Sequence, residues 1–425
     1  MGPIVLFDKS FLQSLSLDES VWFDHFFLTN VSPLFFVETL ADLNKPARIS
    51  SSPEDKVRII ADKFPVMNSG PSAHHADLAL SNLVGYEIPM RGQILLDSGR
   101  LVSIDGKPSV IAGESPVAQA FARWQDGDFN ALERGFASEW RQRLSRVDMG
   151  ALPELLLHCK ELNPDCSSLS DAKAMADTFT SSRQAPYLKM EVCLRLLEIP
   201  PRAESRIRSR WARLAYPCIH DLAPYASFQL SVILFFFIAL RSSLISSKRP
   251  STLVDIAYLF YLPFCMVFVS SDRLHREAAP LFLRENQEFV WGPDLKASLR
   301  EINLFFSLYH ESERDKGLHA FAPTPPLHVP TLVSDLWDRH LPGWRESRDA
   351  EPTAAGRGLP ADFADKVKRM ENAPTFSPGP DEIKVGDIQS TAIKRRVRRK
   401  KGAWYQIPRR FPPRGDAPDD DPIGA

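Results

Sequence analysis

Two short, uninterrupted apolar runs, each leading to an aspartate, constrain this chain more than any other feature. Residues 3–7 read Pro-Ile-Val-Leu-Phe and pass directly into Asp8; residues 265–269 read Cys-Met-Val-Phe-Val and pass through Ser270-Ser271 into Asp272. Continuous β-branched and aromatic residues over so short a length, with no polar alternation, describe a strand buried on both faces, the habit of parallel sheets covered by helices. In open α/β sheets the ligand lies outside the carboxyl ends of the strands. Asp8 and Asp272 are therefore expected to meet at one rim although they stand far apart in sequence.

Helical signals follow each run. Leu12, Leu15 and Leu17 suggest a short helix, and Ser32-Pro33 supplies an N-cap and first-turn proline for a second, with Leu34, Val37, Leu40 and Leu43 at helical spacing. Glu38 lies inside it, one turn from its start. Ser251-Thr252 is expected to cap a helix whose apolar face holds Leu253, Ile256, Ala257, Leu259 and Phe260 and which ends at Leu262 before Pro263; Asp255 sits in its first turn. A further helix should run from Asp272 to about Arg284. Residues 50–137 read as an insertion containing β structure, with Asp97-Ser98-Gly99 and Asp105-Gly106 turns separating strands at 93–96, 100–104 and 108–112. Residues 130–245 read as mostly helical, broken at prolines.

Four carboxylates gathered at one rim repel each other unless cations compensate them, and hard oxygen ligands suit Mg²⁺ or Mn²⁺. Such ions activate water and stabilise charge on a phosphodiester in in-line displacement. The competing reading is local: Asp8 and Asp272 as N-caps of the helices that follow, Asp255 as a partner of a helix dipole, and Glu38 on a solvated flank. P-loop and dinucleotide enzymes are excluded by the lack of either glycine fingerprint.

The ordered segments Leu-Phe-Asp8-Lys-Ser10, Phe-Val-Glu38-Thr-Leu, Leu-Val-Asp255-Ile-Ala-Tyr-Leu and Val-Phe-Val-Ser270-Ser-Asp272 resemble the acidic motifs of PIN-domain nucleases. The resemblance covers residues 1–45 and 250–285. It implies a PIN-like three-layer α/β/α fold with a central, mainly parallel sheet over residues 1–310, followed by a peripheral segment at 311–345. It also implies metal-binding, catalytic roles for Asp8, Glu38, Asp255 and Asp272, support from Ser10 and Ser270, and a Mg²⁺- or Mn²⁺-dependent nuclease acting on RNA more readily than DNA. The alternative is a PIN-like nucleic-acid-binding or regulatory module without catalysis. The insertion and the long tail depart from the compact family pattern.

Net charge is −1, yet residues 393–414 hold ten Lys/Arg and no acid, so the rest of the chain carries about −11. Beyond residue 345 apolar periodicity fades and a disordered tail is expected over 346–425. Its basic cluster, with Lys394, Arg395, Arg396, Arg398 and Arg399 near Trp404 and Tyr405, suits nucleic-acid attachment by counterion release and stacking, or a fold back onto the acidic body. On a helix, Arg206, Arg210 and Arg213 share a face that could contact phosphates or simply face solvent. His74-His75 lies in a small-residue loop without metal-ligand spacing. Five cysteines with no Cys-x-x-Cys pair imply reduced thiols and a cytoplasmic location, and the N-terminus lacks the basic region of a signal peptide. The most apolar stretch, residues 228–240, is short of the roughly 20 residues a span needs, so a buried helix and no membrane partner are expected. A regulatory protein partner and a homo-oligomer remain open.

Overall fold

The structure is a computed structural model and describes residues 2–45, 52–104, 107–152, 165–346 and 390–409, together with residues 154, 159, 162, 369, 372–375 and 388. Its strands are β1 (Ile4–Phe7), β2 (Leu28–Val31), β3 (Ser69–Pro71), β4 (Arg100–Ile104), β5 (Lys107–Ala112), β6 (Val267–Ser270), β7 (Glu288–Trp291), β8 (Ser390–Ile393), β9 (Lys400–Lys401) and β10 (Trp404–Tyr405). Five of them form the central sheet in the order β3-β2-β1-β6-β7, every neighbouring pair parallel. The chain class is therefore α/β. From β1 the first connections build outward to β3, and the chain then returns to the other side of β1 through β6. The reversal of direction falls between β1 and β6.

Alternation along these middle strands divides two cores. Val5, Phe7, Val267 and Val269 enter one cluster, with Phe11, Trp22, Phe23 and Phe35; Leu6 and Phe268 enter the other, with the residues of the helix Pro224–Arg241. Side chains two apart share a face of a strand, so each run supplies both layers at once. Burial of each such aliphatic or aromatic side chain contributes about 1.5–3 kcal/mol, which explains why polar residues are excluded until the strand ends. Helix Pro224–Arg241 is long and apolar enough to cross a membrane, but 78% of it is buried inside the protein. That agrees with the buried helix expected at 228–240.

Local chemistry sets the element ends. Ser32 Oγ accepts from Phe35 N, and Pro33 opens the helix Pro33–Leu40, which continues as a 3-10 turn, Ala41–Asn44. Ser251 makes no side-chain cap; the helix Thr252–Tyr258 passes into a 3-10 stretch, Leu259–Phe264, that includes Pro263. The expected stop before Pro263 fails because the tighter turn carries the proline within it. Strand β6 begins at Val267, two residues later than the apolar run.

Residues 50–137, expected as an insertion, divide in two. Helix Pro53–Lys63 and β3 belong to the main layers, whereas β4 and β5 form a hairpin, and β8 joins β5 in parallel to complete a second, three-stranded sheet. Residues 93–96 form no strand, only a bridge between Leu96 and Ser72. The Asp105-Gly106 turn lies outside the described residues, as do residues 410–425.

Within the segment expected to be a disordered tail, residues 390–409 are built into the fold. Trp404 is 1% exposed, stands edge-on to Trp22 at 4.7 Å, and shares the Asn303 side-chain oxygen with it. Arg395 donates to the carbonyls of Val66, Met67 and Ser69, and Lys401 to that of Phe64. The amides of residues 66–68 donate to the buried Asp24 carboxylate from the other side. The loop after helix Pro53–Lys63 thus has N–H groups met by an acid and carbonyls met by two cations, so its backbone polar groups are paired although they lie outside regular structure. Gly402 has φ +57°, and a Cβ there would overlap the Asp18 carboxylate that binds Ala403 N, so the β9–β10 turn requires glycine.

Candidate carboxylate cleft

Asp8, Glu38, Asp255 and Asp272 line one cleft of about 630 Å³. They arrive from four elements: the end of β1, the helix Pro33–Leu40, the helix Thr252–Tyr258, and the end of β6. This is the carboxyl edge of the sheet at its reversal of direction, where open α/β sheets place ligands.

Asp8 is 4% exposed and accepts three hydrogen bonds, from Phe11 N to Oδ1 and from the hydroxyls of Ser10 and Ser270 to Oδ2, the latter two at 2.7 Å. Ser270 is fully buried. Its hydroxyl donates to Asp8 and accepts from Asp272 N and from His275 Nδ1 at 2.8 Å. His275 Nε2 donates to the Asp255 carbonyl at 2.6 Å. Both ring nitrogens therefore carry a proton, and His275 is an imidazolium. Burial opposes that charge, but the Asp8 carboxylate 3.5 Å away and the charge of Asp255 outweigh it and hold the imidazole at about 9. Burial likewise pushes Asp8 up, while His275, Ser10 and Phe11 overcome it and leave the carboxyl below its ordinary value.

The other acids are less satisfied. The Asp255 carboxylate accepts no hydrogen bond from a described residue; burial, opposed by His275 and reinforced by Asp272, Glu38 and Asp8, pushes it up to about 7. Glu38 keeps 31% of its side chain exposed and accepts from the Tyr258 hydroxyl at 3.0 Å. Removal from solvent raises it, against the pull of Lys9. Asp272 caps the helix Arg273–Ala278 by accepting from Leu274 N through Oδ1, which leaves Oδ2 without a partner among the described residues. Asp8 likewise caps the helix Lys9–Ser14. Capping and convergence thus occur in the same residues, and neither reading excludes the other.

Several members of the site carry no signal in the sequence. Lys9 is buried, donates to the Glu38 carbonyl and pairs with Asp42 at 2.9 Å; Lys45 pairs with the same carboxylate. The cleft also holds Arg141, Lys248 and Arg249, so its wall carries five carboxylates and five side-chain cations, with His275 buried behind them. Asp42, Tyr258 and His275 sit at ordinary helical positions, where only three-dimensional proximity reveals them.

The donor set is hard oxygen and suits Mg²⁺ or Mn²⁺ in type. Among the described residues no three His, Cys, Asp or Glu side chains stand close enough to enclose an ion. Mg²⁺ commonly keeps several waters and takes only one or two carboxylates, so Asp255 and Asp272, which retain unengaged oxygens, fit that mode.

The remaining candidates lie elsewhere. Arg210 donates to the carbonyls of Leu83 and Leu222 and packs on Gly85, so its guanidinium is structural; Arg206 and Arg213 are exposed on the same helix, Pro201–Arg213, and none of the three lines the cleft. Arg395 is committed to backbone carbonyls. Arg398 pairs with Asp126 at 2.9 Å, Arg396 lies 3.9 Å from Glu114, Arg399 donates to the Arg409 carbonyl, and Lys394 N bonds to Ala112 O. Of the two anticipated uses of the basic cluster, these contacts are those of a fold back onto the body. His75 bonds to the Tyr261 hydroxyl beside Phe260, and burial with His74 as neighbour drives it down to about 3, which marks packing rather than ligation. All five cysteines are buried thiols, and none is in a disulfide.

No protein-family model, no curated protein and no solved structure matches this chain.

Proposed function

We propose that this chain is a PIN-like, Mg²⁺- or Mn²⁺-dependent nuclease that hydrolyses phosphodiester bonds, in RNA more readily than in DNA. The observation that carries the reading is the convergence of four acids from four separate elements on one cleft at the carboxyl ends of β1 and β6. The all-parallel sheet agrees with what the sequence resemblance implies. Accumulating like charge in a concave site costs stability, and perturbed carboxyls in a cleft are the mark of a functional site.

In this reading Asp255 and Asp272 hold the divalent ion, with Glu38 and Asp8 completing its acidic surroundings; when bound, the ion supplies an acidic water and neutralises developing phosphate charge. Ser10 and Ser270 fix the Asp8 carboxylate, Tyr258 aims Glu38, and Lys9 and His275 offset the remaining charge so that the cluster forms in the folded apo chain. Cleavage of labelled single-stranded RNA, duplex RNA and single-stranded DNA with Mn²⁺, Mg²⁺ or EDTA tests it. Metal-dependent cleavage, RNA over DNA, reduced at least about 10²-fold in Asp272→Asn is expected; equal rates in the variant and the wild type would refute the site.

A second reading, a non-catalytic nucleic-acid-binding or regulatory module, draws support from Lys9 and His275. These cations already neutralise part of the cluster, and Asp8 has three hydrogen-bond donors of its own. It predicts binding without cleavage under every metal condition.

A further inference from the structure

The wall of the cleft opposite β1 and β6 is made by parts of the chain outside the acidic motifs. The helix Ala131–Ser145 packs on the 3-10 turn Ala41–Asn44 and brings Trp140 and Arg141 to the cleft; the loop after helix Pro224–Arg241 brings Lys248 and Arg249. Arg141 Nε donates to the Ala41 carbonyl, which fixes the root of the guanidinium and leaves its terminal nitrogens without a described partner. Lys248 and Arg249 are exposed, and neither side chain pairs with a described acid, although five carboxylates line the same cleft. In a cleft so rich in acids, cations that are not consumed by those acids remain available to an anion.

Trp140 adds a second kind of contact. It is half-buried against the cluster that holds Leu6 and Phe268, and its ring lies nearly parallel to that of Phe136, one helical turn away, at 15° and 6.3 Å between centroids. Phe136 is 42% exposed. Trp140 lines the cleft together with Arg141, Lys248 and Arg249, so this wall offers the two things an unpaired nucleotide strand needs: a surface for bases and counter-charges for phosphates. A base within a duplex has both faces occupied by its neighbours, and the cleft has the volume of a small-ligand pocket.

We infer that Arg141, Lys248 and Arg249 bind consecutive phosphates of a single-stranded nucleic acid while Trp140 stacks on one of its bases, holding the strand across the acids. The inference rests on the reading of this cleft as a nucleic-acid site, but it concerns binding and is testable without catalysis. It replaces the Arg206 helix and the C-terminal basic cluster as the principal substrate contact.

Binding of fluorescent single-stranded and duplex oligonucleotides to the full chain is measured by anisotropy in EDTA, between roughly 50 and 200 mM salt. Tighter binding of the single strand is expected. For single strands each lost phosphate contact lowers the slope of log affinity against log salt by about 0.7, so Lys248→Ala/Arg249→Ala should flatten it by about 1.4. Trp140→Leu should weaken binding about tenfold at unchanged slope, and Trp140→Phe should retain most of the affinity. Circular dichroism and urea titration verify that each variant is folded; the double variant changes only exposed side chains and decides the question if Trp140→Leu is unstable. Unchanged affinity and slope in the double variant, or preference for the duplex, would overturn the inference. Tight binding without cleavage in any metal would sink the nuclease reading alone, whereas metal-dependent cleavage that ignores the double variant would sink this inference alone.

Discussion

The carboxylate cleft and the aromatic cluster under the C-terminal strap, residues 390–409, are both assembled from sequence-distant segments, but by opposite physical means. Under the strap, Trp22, Phe306, Phe321 and Trp404 pack with one another, and both indole N–H groups of Trp22 and Trp404 reach the Asn303 oxygen. Each partner gains by burial. In the cleft, acids are held near other acids and near buried cations, where desolvation consumes much of what attraction supplies. One region stabilises the fold; the other is maintained by it. That division is the expected one for a protein that stores its unfavourable electrostatics at a functional site.

Removing the strap offers the hardest test of this contrast. Trp404→Ala should cost about 3–5 kcal/mol, because it empties a buried aromatic site and leaves Asn303 with one donor in place of two. A chain ending before Ser390 should lose at least as much, since Arg395 and Lys401 also leave the carbonyls of residues 64–69. Urea denaturation measures both. A loss under about 1 kcal/mol would mean that the strap is an appendage and the comparison is false.

Acid pH should weaken the aromatic region next. His25 packs against Trp22 and Phe26, with Nε2 donating to the Ala322 carbonyl, and burial, helped by His319, drives its imidazole down to about 3. An unfolded histidine titrates near about 6.5. Between these values the unfolded chain binds the extra proton, so the penalty from this residue is absent above pH 6.5 and grows as pH drops toward 3, by up to about 1.4 kcal/mol per unit. His75 behaves in the same sense. Urea midpoints at pH 7 and pH 5 should differ accordingly, and the difference should shrink in a folded His25→Gln variant; an identical pH dependence in that variant would remove His25 from the account.

The smallest effect has the opposite sign. Asp255→Asn, measured in EDTA, should stabilise the chain by about 1 kcal/mol while abolishing metal-dependent cleavage, because it removes one of several like charges without breaking a hydrogen bond. Destabilisation by the same substitution would show that Asp255 serves the fold as a partner of His275 rather than the site.

How much of this was legible depended on the range of the interaction. β1 and β6 were readable because burial on both faces writes itself into consecutive residues. The Ser32 cap was readable because donor and acceptor lie three residues apart. β3, Ser69-Gly70-Pro71, was not, since nothing in its residues favours a strand; it exists because β2 offers a free parallel edge, and Gly70 admits the side chains of Ile94 and Leu96. The strap carries dense positive charge and little apolar periodicity, which reads as disordered, and only the space beside Trp22 gives Trp404 a reason to stay.

The site divides in the same way. Sequence by itself determined the two buried strands, the acids at their ends and the order in which four carboxylates appear, because alternation, capping and motif spacing are local properties of a chain. Tertiary structure alone decided that those acids share one cleft, that Lys9 and His275 stand behind them, and that the basic cluster at 394–401 lies against the body while Lys248 and Arg249 face the cleft. Charge acts through space on whatever neighbour the fold supplies, and that neighbour is fixed only when distant segments pack.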